Sequence, residues 1–383
     1  MARTDATDPL RTPTLDRLVE DGELLGYSVA LRGRDGRTLT TVRGATGPHT
    51  GPPVTEASSY RLASLSKPVA ALLVAVLRGE GVLAPDDEVR RWVPELDGVR
   101  VLRRPDADLD DTEPLTRPVT VGDLLTMTSG LGMGMSETPL SRAMARAGVH
   151  PGPLPPTVDD VTFLARLAEL PLAFQPGAGW AYHTSTDVLS VVLARASGQP
   201  LDRLLADRLT QPLDTPSVSF AAPGPETAAP AHARGPGGWE PLEADGPAEP
   251  AMLTLSSGLW GTAADTARVL AELVTPTVAP ADLIRAVRRP ALTDLQLAAA
   301  RPFVPAGYSF GHHVSVAMRD DPAGPRRGSA GWAGGTGTLG IADPAAGRTV
   351  ALLTARRLDG PRDAVAFDAV LADLWADVRD EAH

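Results

Sequence analysis

The sequence predicts an α+β protein, within the broader α/β class, in which helices flank an antiparallel sheet and a mostly helical lobe is inserted into it. Three observations predict this fold. Segments with strand-like alternation lie near both ends of the 383-residue chain, helical periodicity fills its middle, and the length allows a second lobe. We expect a discontinuous sheet domain over residues 1–80 and 246–383 and a helical domain over residues 81–245. The functional site is expected at their interface, where clefts form.

The N-terminal part of the chain supplies a helix, a hairpin and a strongly apolar helix. Residues 10–24 have the periodicity of an amphipathic helix. The segment GYSVALRGRDGRTLTTVRG, residues 26–44, alternates like two strands joined by an Asp-Gly turn. A helix that is apolar nearly all round then runs from Ser64 to about Gly79. Residues 84–96 have the pattern of a short capped helix.

The middle of the chain is predicted to be largely helical. Helical patterns recur over residues 119–131, 157–170, 184–210 and 258–273. Thr262 is the expected N-cap of the last of these helices. Proline, glycine and alanine crowd residues 221–250, which we therefore expect to form loops around short strands.

The C-terminal part of the chain returns to strand-like alternation. Residues 307–318, 337–344 and 348–356 alternate like antiparallel strands. Residues 361–380 have the pattern of a closing helix. Because strands occur at both ends of the chain, the simplest arrangement joins them in one sheet.

The composition argues against several kinds of partner. A formal net charge of −11 disfavours a nucleic acid or an anionic membrane. The lack of cysteine in the sequence excludes disulfides, thiolate metal sites and cysteine nucleophiles. The first residues, MARTDATDPL, carry acids and a proline where a signal peptide has an apolar run, and no stretch approaches the roughly 20 apolar residues of a membrane span. We therefore expect a cytoplasmic protein.

No cofactor and no metal are predicted. The stretch GTGTLG, residues 335–340, matches the glycine spacing of a dinucleotide site, but a strand-turn-strand pattern follows it where that site needs a helix. His312 and His313 are neighbours on a predicted strand, so their side chains are expected on opposite faces, where they do not chelate one metal ion.

The chain contains a single lysine among its 36 basic residues, and this lysine follows Ser64 by three positions. Arginine keeps its proton near neutral pH, whereas a buried lysine can lose it. Helix positions three apart share a face, and the apolar residues around Lys67 predict a partly desolvated amine. Ser64 and Lys67 are therefore predicted to be a nucleophile and its base.

Further segments extend this pair into a longer pattern. They are YRLASLSKPVAALLVAVLRGEGVLAPDDEVRRWVPEL, VTVGDLLTMTSGL, FQPGAGWAYHTSTDVLSVVLARASGQPL, SSGLWGTAADTARVLAEL and GWAGGTGTLGIADP. From about Tyr27 onward the sequence resembles the serine β-lactamase and penicillin-binding protein superfamily, in its class C β-lactamase-like branch. The resemblance implies a β-lactamase/transpeptidase-like fold and an acyl-enzyme formed on Ser64. It also implies that Lys67 and Tyr182 handle the proton and that the N–H groups of Ser64 and Gly335 hold the oxyanion.

Two departures from the family pattern bear on the substrate. Trp332, Ala333 and Gly334 stand where the family usually has Lys-Thr-Gly or His-Thr-Gly, a change that weakens any grip on a substrate carboxylate. His183 and Thr184 follow the tyrosine where the family often has Tyr-x-Asn, whose amide holds a substrate amide. Both changes argue against penicillins and peptides. The Trp-x-Gly variant resembles the family's carboxylesterases.

Four residues are predicted to contact the substrate. They are Trp332, Gly334, His183 and Met133. Met133 belongs to the loop GLGMGM, whose flexible and polarizable methionines suit an acyl pocket. For His183, a contact with substrate or with the tyrosine is one reading, and an ordinary buried or solvated histidine is the other.

These residues favour a serine hydrolase that acts on carboxylic esters of a small molecule through a covalent acyl-serine. An acyltransferase that passes the acyl group to an amine or alcohol is the alternative, because the two reactions differ only in the acceptor and in how well water is excluded. A β-lactamase, a D-amino-acid peptidase and a non-catalytic binding protein rank lower. The expected partner is a small-molecule ester or amide, with no nucleic acid and no membrane.

Overall fold

An antiparallel sheet drawn from both ends of the chain organises the fold. The structure is a computed structural model, and it describes residues 10–376 apart from 49–50, 135, 244–248, 302, 322–323, 361–362 and 364. Within those residues the strands are β1 Gly26–Arg32, β2 Thr38–Gly44, β3 Ser59–Arg61, β4 Val101–Leu102, β5 Thr112–Glu113, β6 Ala228–Ala229, β7 His232–Gly235, β8 Gly238–Pro241, β9 Trp260–Gly261, β10 Tyr308–Phe310, β11 Ser315–Ala317, β12 Ala330–Gly334, β13 Thr338–Asp343 and β14 Arg348–Thr354.

The helices fill the space around this sheet and most of the chain between its two parts. They are α1 Pro13–Glu20, α2 Lys67–Gly79, α3 Val121–Thr126, α4 Pro139–Ala147, α5 Asp160–Ala168, α6 Thr184–Ser197, α7 Leu201–Leu205, α8 Ala263–Leu270, α9 Ala281–Val287, α10 Asp294–Ala300 and α11 Val365–Ala376. Thr262 caps α8 by accepting a hydrogen bond from the backbone N–H of Asp265, as the sequence predicts.

The large sheet joins the two ends of the chain directly. Its seven strands run in the order β10-β11-β12-β13-β14-β1-β2, and all neighbouring pairs are antiparallel. β1 pairs with β14 so that Ala30 lies opposite Ala351. The predicted hairpin over residues 26–44 is present, and its turn contains Gly36 at φ +83°, a conformation that favours glycine.

Alternation along the central strands gives the sheet two packed faces. Val29 and Leu352 face one side, where they form a cluster with Leu15 of α1 and Val370 of α11. Their chain neighbours, such as Ala30, face the larger core on the other side, which also contains α2 and α8. The sheet is therefore a middle layer between two layers of helix, and the α+β fold predicted from the sequence is confirmed.

Helix α2 lies in the centre of the larger core. Every residue from Lys67 to Leu77 is buried, which explains why the sequence of this helix has no polar face. A short 3₁₀ turn, Ala63–Ser66, leads directly into it. The start of the most deeply buried helix thus carries the predicted nucleophile.

The structure differs from the sequence-based expectations in several connections. Residues 84–96 form two 3₁₀ turns, Val89–Arg91 and Pro94–Leu96, because Pro94 interrupts the helix pattern. His312 and His313 do not lie on a strand but in the turn between β10 and β11, where His313 has φ 57°. The predicted domain boundary at residues 245 and 246 lies outside the described residues, as does the predicted continuation of the last helix to residue 380.

No helix among the described residues combines the length and the apolar character needed to cross a membrane.

Candidate active site

Ser64 and Lys67 lie side by side at the junction between the 3₁₀ turn and α2. The Nζ of Lys67 donates a 2.9 Å hydrogen bond to the Oγ of Ser64 and a 2.7 Å hydrogen bond to the carbonyl oxygen of Ser256. Both side chains are buried. Ala63, just before the serine, has φ 47°, a left-handed conformation that is uncommon for a residue with a side chain.

Burial controls the charge of this lysine. Lys67 is fully buried, and desolvation lowers the pKa of its amine to about 7, against the opposing attraction of the Asp187 carboxylate. The amine is therefore half neutral near physiological pH, as a base for a serine hydroxyl requires.

The turn between β12 and β13 is fixed against the backbone that leads to Ser64. Thr336 Oγ1 donates a 2.6 Å hydrogen bond to the carbonyl of Arg61, and Thr338 Oγ1 donates a 2.8 Å hydrogen bond to the carbonyl of Leu62. Gly334 fits in this contact because a methyl group there would overlap the Leu62 carbonyl oxygen and the Thr338 hydroxyl. Gly335 follows at the tip of the strand, and among the described residues only Pro153 lies within 4 Å of the position a side chain would take.

Tyr182 brings a phenol to the same serine. Its hydroxyl interacts with the side chain of Ser64, and it accepts a 2.8 Å hydrogen bond from the Nε1 of Trp332. Burial raises the pKa of Tyr182 to about 12, although these two interactions oppose the shift. The Nζ of Lys67 lies 4.8 Å from the centre of the phenol ring. The phenol therefore keeps its proton at neutral pH in the resting site.

An aromatic cluster holds the tyrosine and Trp332 in place. Tyr182 stacks on Phe303 with ring centres 4.3 Å apart, and on Trp180 at 5.7 Å. Trp332 meets Phe310 edge to face at 5.2 Å. Trp332, which was predicted to contact the substrate, thus contacts Tyr182 in the structure.

Met133 is joined to Tyr182 through the backbone. The N–H of Met133 donates to the Tyr182 carbonyl at 3.2 Å, and the N–H of Tyr182 donates to the Met133 carbonyl at 2.8 Å. Met133 is partly buried and Gly134, next along the loop, is exposed. The loop therefore forms part of the rim beside the phenol.

His183 points into the site rather than away from it. Its Nδ1 lies 3.3 Å from the Nζ of Lys67, and its Nε2 lies 3.6 Å from Oδ2 of Asp187. Burial and the nearby Lys67 charge hold the pKa of His183 well below its usual range, so the ring is neutral. Ser64, Tyr182 and His183, which were all predicted to belong to the site, thus surround the amine of Lys67.

Asp187 is the functional-site residue that the sequence reasoning missed. It is buried one turn into α6, and its Oδ1 accepts hydrogen bonds from Ser256 Oγ at 2.5 Å and Thr254 Oγ1 at 2.7 Å. Burial raises the pKa of the carboxyl to about 6 despite these bonds. One signal was available, because Asp187 is the only acid in the otherwise uncharged stretch from Thr184 to Leu193.

Comparison with known proteins identifies the family of this chain. The Beta-lactamase family model matches residues 12–374. The chain belongs to the β-lactamase family. Esterase EstB of Burkholderia gladioli is 34% identical over 93% of this chain and 93% of its own.

Several solved structures superimpose over nearly the whole chain. EstCE1, described as a hydrolase with promiscuous acyltransferase activity, gives a TM-score of 0.77 at 22% identity and covers 94% of this chain and 96% of its own. Unliganded simvastatin synthase (LovD) of Aspergillus terreus gives 0.78 at 21% identity, over 95% and 96% of the two chains. The family and fold predicted from the sequence are confirmed. The family match and the relationship to esterase EstB support the prediction of an esterase-like serine hydrolase.

Proposed function

We propose that this β-lactamase-family enzyme hydrolyses carboxylic esters of small molecules through an acyl group carried on Ser64. The observation that carries the proposal is the 2.9 Å contact between Ser64 and the buried amine of Lys67, the only lysine in the chain. A half-neutral amine at that distance accepts the proton of the hydroxyl as the oxygen attacks.

Acylation then proceeds with each proton accounted for. Ser64 Oγ attacks the ester carbonyl while its proton moves to Lys67, and a tetrahedral oxyanion forms. The N–H groups of Ser64 and Gly335 hold this oxyanion, an assignment supported by the hydrogen bonds that fix the β12–β13 turn beside Ser64. When the ester C–O bond breaks, Tyr182 gives its phenolic proton to the leaving alkoxide. The new ammonium on Lys67, 4.8 Å from the ring, stabilises the phenolate.

Deacylation restores the starting state. A water molecule attacks the acyl carbonyl and gives a proton to the phenolate of Tyr182. As the second tetrahedral species collapses, Lys67 returns its proton to Ser64 Oγ and the carboxylic acid leaves. The sum of both steps is ester plus water to acid plus alcohol.

The substrate class follows from what surrounds Ser64. At the Lys-Thr-Gly position of the family this chain has Trp332, whose indole N–H bonds to Tyr182. This position therefore offers no cation for the carboxylate of a penicillin. The position after Tyr182 contributes His183, which faces Lys67. Both arrangements favour an uncharged ester, and the relationship to esterase EstB supports this class. Trp332, Gly334, His183 and Met133 stay predicted substrate contacts.

Acyl transfer to an alcohol or amine is the second candidate, and the dryness of the site favours it. Ser64, Lys67 and Tyr182 are 6%, 0% and 8% exposed. A site that excludes water lengthens the life of the acyl-enzyme and gives another acceptor time to react. Incubation with p-nitrophenyl butyrate and a primary alcohol separates the two reactions, since transfer yields the butyrate ester of that alcohol in excess over free butyrate.

The domain arrangement belongs to the same proposal. The sheet domain contributes Ser64, Lys67 and Gly335 and the helical domain contributes Tyr182 and His183, which supports a site at the interface. Cytoplasmic location, and the absence of nucleic-acid and membrane partners, stay predictions from the sequence.

Intact-mass spectrometry after reaction with a fluorophosphonate tests the proposal. We expect one adduct, mapped to Ser64, and no adduct in the variant S64A. A wild-type protein that stays unlabelled while folded contradicts a nucleophilic Ser64 and leaves a binding protein of the same fold.

A further inference from the structure

We propose that His183 and Asp187 orient the lone pair of Lys67 toward Ser64, and that His183 is thereby a positioning residue for the base. This inference rests on the proposed function, because it concerns how the amine acts on the serine. It assigns a role to two side chains that the acylation and deacylation steps above do not use.

The geometry around the amine supplies the first argument. Three polar atoms surround Nζ: the Ser256 carbonyl oxygen at 2.7 Å, Ser64 Oγ at 2.9 Å and His183 Nδ1 at 3.3 Å. In its ammonium form Nζ donates to all three atoms, including Ser64 Oγ. The neutral amine has two N–H donors and one lone pair. If Ser256 and His183 each accept one N–H, the lone pair is left for the hydroxyl proton of Ser64.

This arrangement requires that Nδ1 of His183 carries no proton. Asp187 favours that tautomer, because its Oδ2 lies 3.6 Å from Nε2 and draws the ring proton to that nitrogen. Lys67 favours it from the other side, since an N–H on Nδ1 would face the N–H bonds of the amine. The two neighbours therefore select the same form of the imidazole.

The backbone of His183 is held in an unusual conformation that aims the ring. Its φ of 85° and ψ of −67° place it in a γ-turn, and the N–H of Thr184 reaches the carbonyl of Tyr182 at 3.3 Å. A γ-turn of this hand is rare and strained, and strain of this kind persists where surrounding contacts enforce it. The turn lets Tyr182 and His183, neighbours in sequence, both face Lys67.

The other ionisable groups near the ring leave it neutral. Lys67 of α2 and His150 of the segment 148–157 both lower the pKa of His183, and burial lowers it further. His313, in the turn after β10, is itself buried and neutral, because burial and the Lys67 charge hold its pKa well below the usual range. Tyr182 meets the imidazole edge to face at 5.8 Å with its proton in place. An uncharged acceptor is thus the only form this ring offers to the amine.

A cavity next to the imidazole makes a chemical test possible. A partly open pocket of about 170 Å³ is lined by residues 148–152 and 154–157, Phe163, His183 and Asp187. Removing the ring of His183 extends this cavity to Lys67 and leaves room for a free imidazole molecule.

The variant H183G is the decisive change, because glycine accepts the γ-turn without strain. With p-nitrophenyl acetate we expect kcat to fall about 100-fold, a larger effect than any change in KM. The acidic limb of the pH profile moves to lower pH, because the ammonium of Lys67 loses one acceptor. Added imidazole restores kcat in a saturable manner. The variant H183N, whose Oδ1 takes the place of Nδ1, keeps kcat within about tenfold of the wild type.

A second variant tests the tautomer without touching the ring. Ser256 and Thr254 both donate to Oδ1 of Asp187, so in D187N the amide oxygen stays there and the NH₂ faces Nε2. The ring proton is then forced to Nδ1, against Lys67. We expect kcat to fall at least 100-fold, as misplacing the tautomer does in serine proteases, with no rescue by imidazole.

Several outcomes overturn the inference. For H183G, these are a wild-type kcat and pH profile in the folded protein, or a loss of kcat that imidazole does not restore. For the other variants, they are an H183N enzyme as slow as H183G, or a D187N enzyme with wild-type kcat. Thermal unfolding shows whether each variant is folded, and D187N decides the matter if H183G is not. Fluorophosphonate labelling of the wild type separates the two proposals, since labelled Ser64 together with any of these outcomes rejects only the role of His183.

Discussion

The indole Nε1 of Trp332 donates a 2.8 Å hydrogen bond to the hydroxyl oxygen of Tyr182. The bond joins strand β12 to the phenol that also interacts with the side chain of Ser64. Because the indole is a donor only, it stabilises negative charge on the phenol oxygen and lowers the pKa of Tyr182 against the effect of burial. Trp332 therefore supports the step in which Tyr182 gives up its proton.

Replacing Trp332 by phenylalanine removes this donor while keeping an aromatic ring. We expect kcat/KM for p-nitrophenyl butyrate to fall about tenfold, the equivalent of one hydrogen bond of ordinary strength. F310L is the control, because it disturbs the same aromatic cluster without removing a bond to Tyr182. If kcat/KM falls equally in W332F and F310L, the loss comes from disturbed packing of the aromatic cluster and not from the missing hydrogen bond.

Replacing Lys67 by arginine keeps a positive charge and removes the base. Since a guanidinium does not lose its proton near neutral pH, we expect fluorophosphonate labelling of Ser64 to slow by roughly 1,000-fold, within the range for loss of a general base. The rate of adduct formation is measured by intact-mass spectrometry, and S64A gives the background rate in the absence of the nucleophile. A rate close to wild type in K67R rules out a neutral amine at this position.

The pH profile of kcat/KM reports the charge of the lysine. Burial lowers the pKa of Lys67 to about 7, so the active neutral amine is lost as pH falls below that value. We expect activity to rise about tenfold between pH 6 and pH 8, the span of a single titration centred there. Burial also raises the pKa of the Asp187 carboxyl, to about 6. The two groups titrate together, so the rise in activity reports the pair rather than Lys67 alone.

The alkaline side of the same profile depends on the phenol. Burial raises the pKa of Tyr182 to about 12, so no loss of activity from its ionisation is expected up to about pH 10. Stopped-flow rates from pH 5 to pH 10, corrected with S64A, check both limbs. A profile that is flat from pH 5 to pH 8 contradicts the role of the amine.

Gly334 and Gly335 form a matched pair for stability. A methyl group at Gly334 overlaps the Leu62 carbonyl oxygen and the Thr338 hydroxyl, whereas one at Gly335 meets only the side chain of Pro153, at 3.2 Å. We expect G334A to lower the free energy of unfolding by about 2 kcal/mol, as overpacking does. The added methyl group is also expected to push the β12–β13 turn away from the backbone that leads to Ser64. G335A is expected to change the free energy of unfolding by less than about 0.5 kcal/mol.

Urea unfolding followed by intrinsic fluorescence measures both values. Equal stability of the two variants contradicts the close approach of β12 to the residues before Ser64.

Much of the fold was readable from local patterns. The hairpin over residues 26–44, the cap at Thr262 and the strands near the C-terminus depend on alternation, turn residues and capping chemistry, which neighbouring positions fix among themselves. The errors arose where distant contacts decide the backbone. His313 was expected on a strand, but its N–H bonds to the carbonyl of Leu125 and the chain turns there.

The candidate site divides in the same way. Ser64 and Lys67 meet because they are three positions apart on one turn, and a lone lysine at an apolar helix drew attention to them. Asp187 was missed because a helix start rich in small polar residues does not by itself indicate burial, yet every residue from Thr184 to Leu193 is buried. Its effect also depends on Ser256 and Thr254, which lie far along the chain.

The sequence by itself determined which groups were available: one amine, a serine beside it, a tyrosine and the segments that mark the family. The tertiary structure decided their chemistry. The Ser256 carbonyl and His183 Nδ1 reach Lys67 from 189 and 116 positions away, and the surrounding helices remove the water from it. A pKa depends on what surrounds a group in space, and that surrounding exists only once the chain has folded.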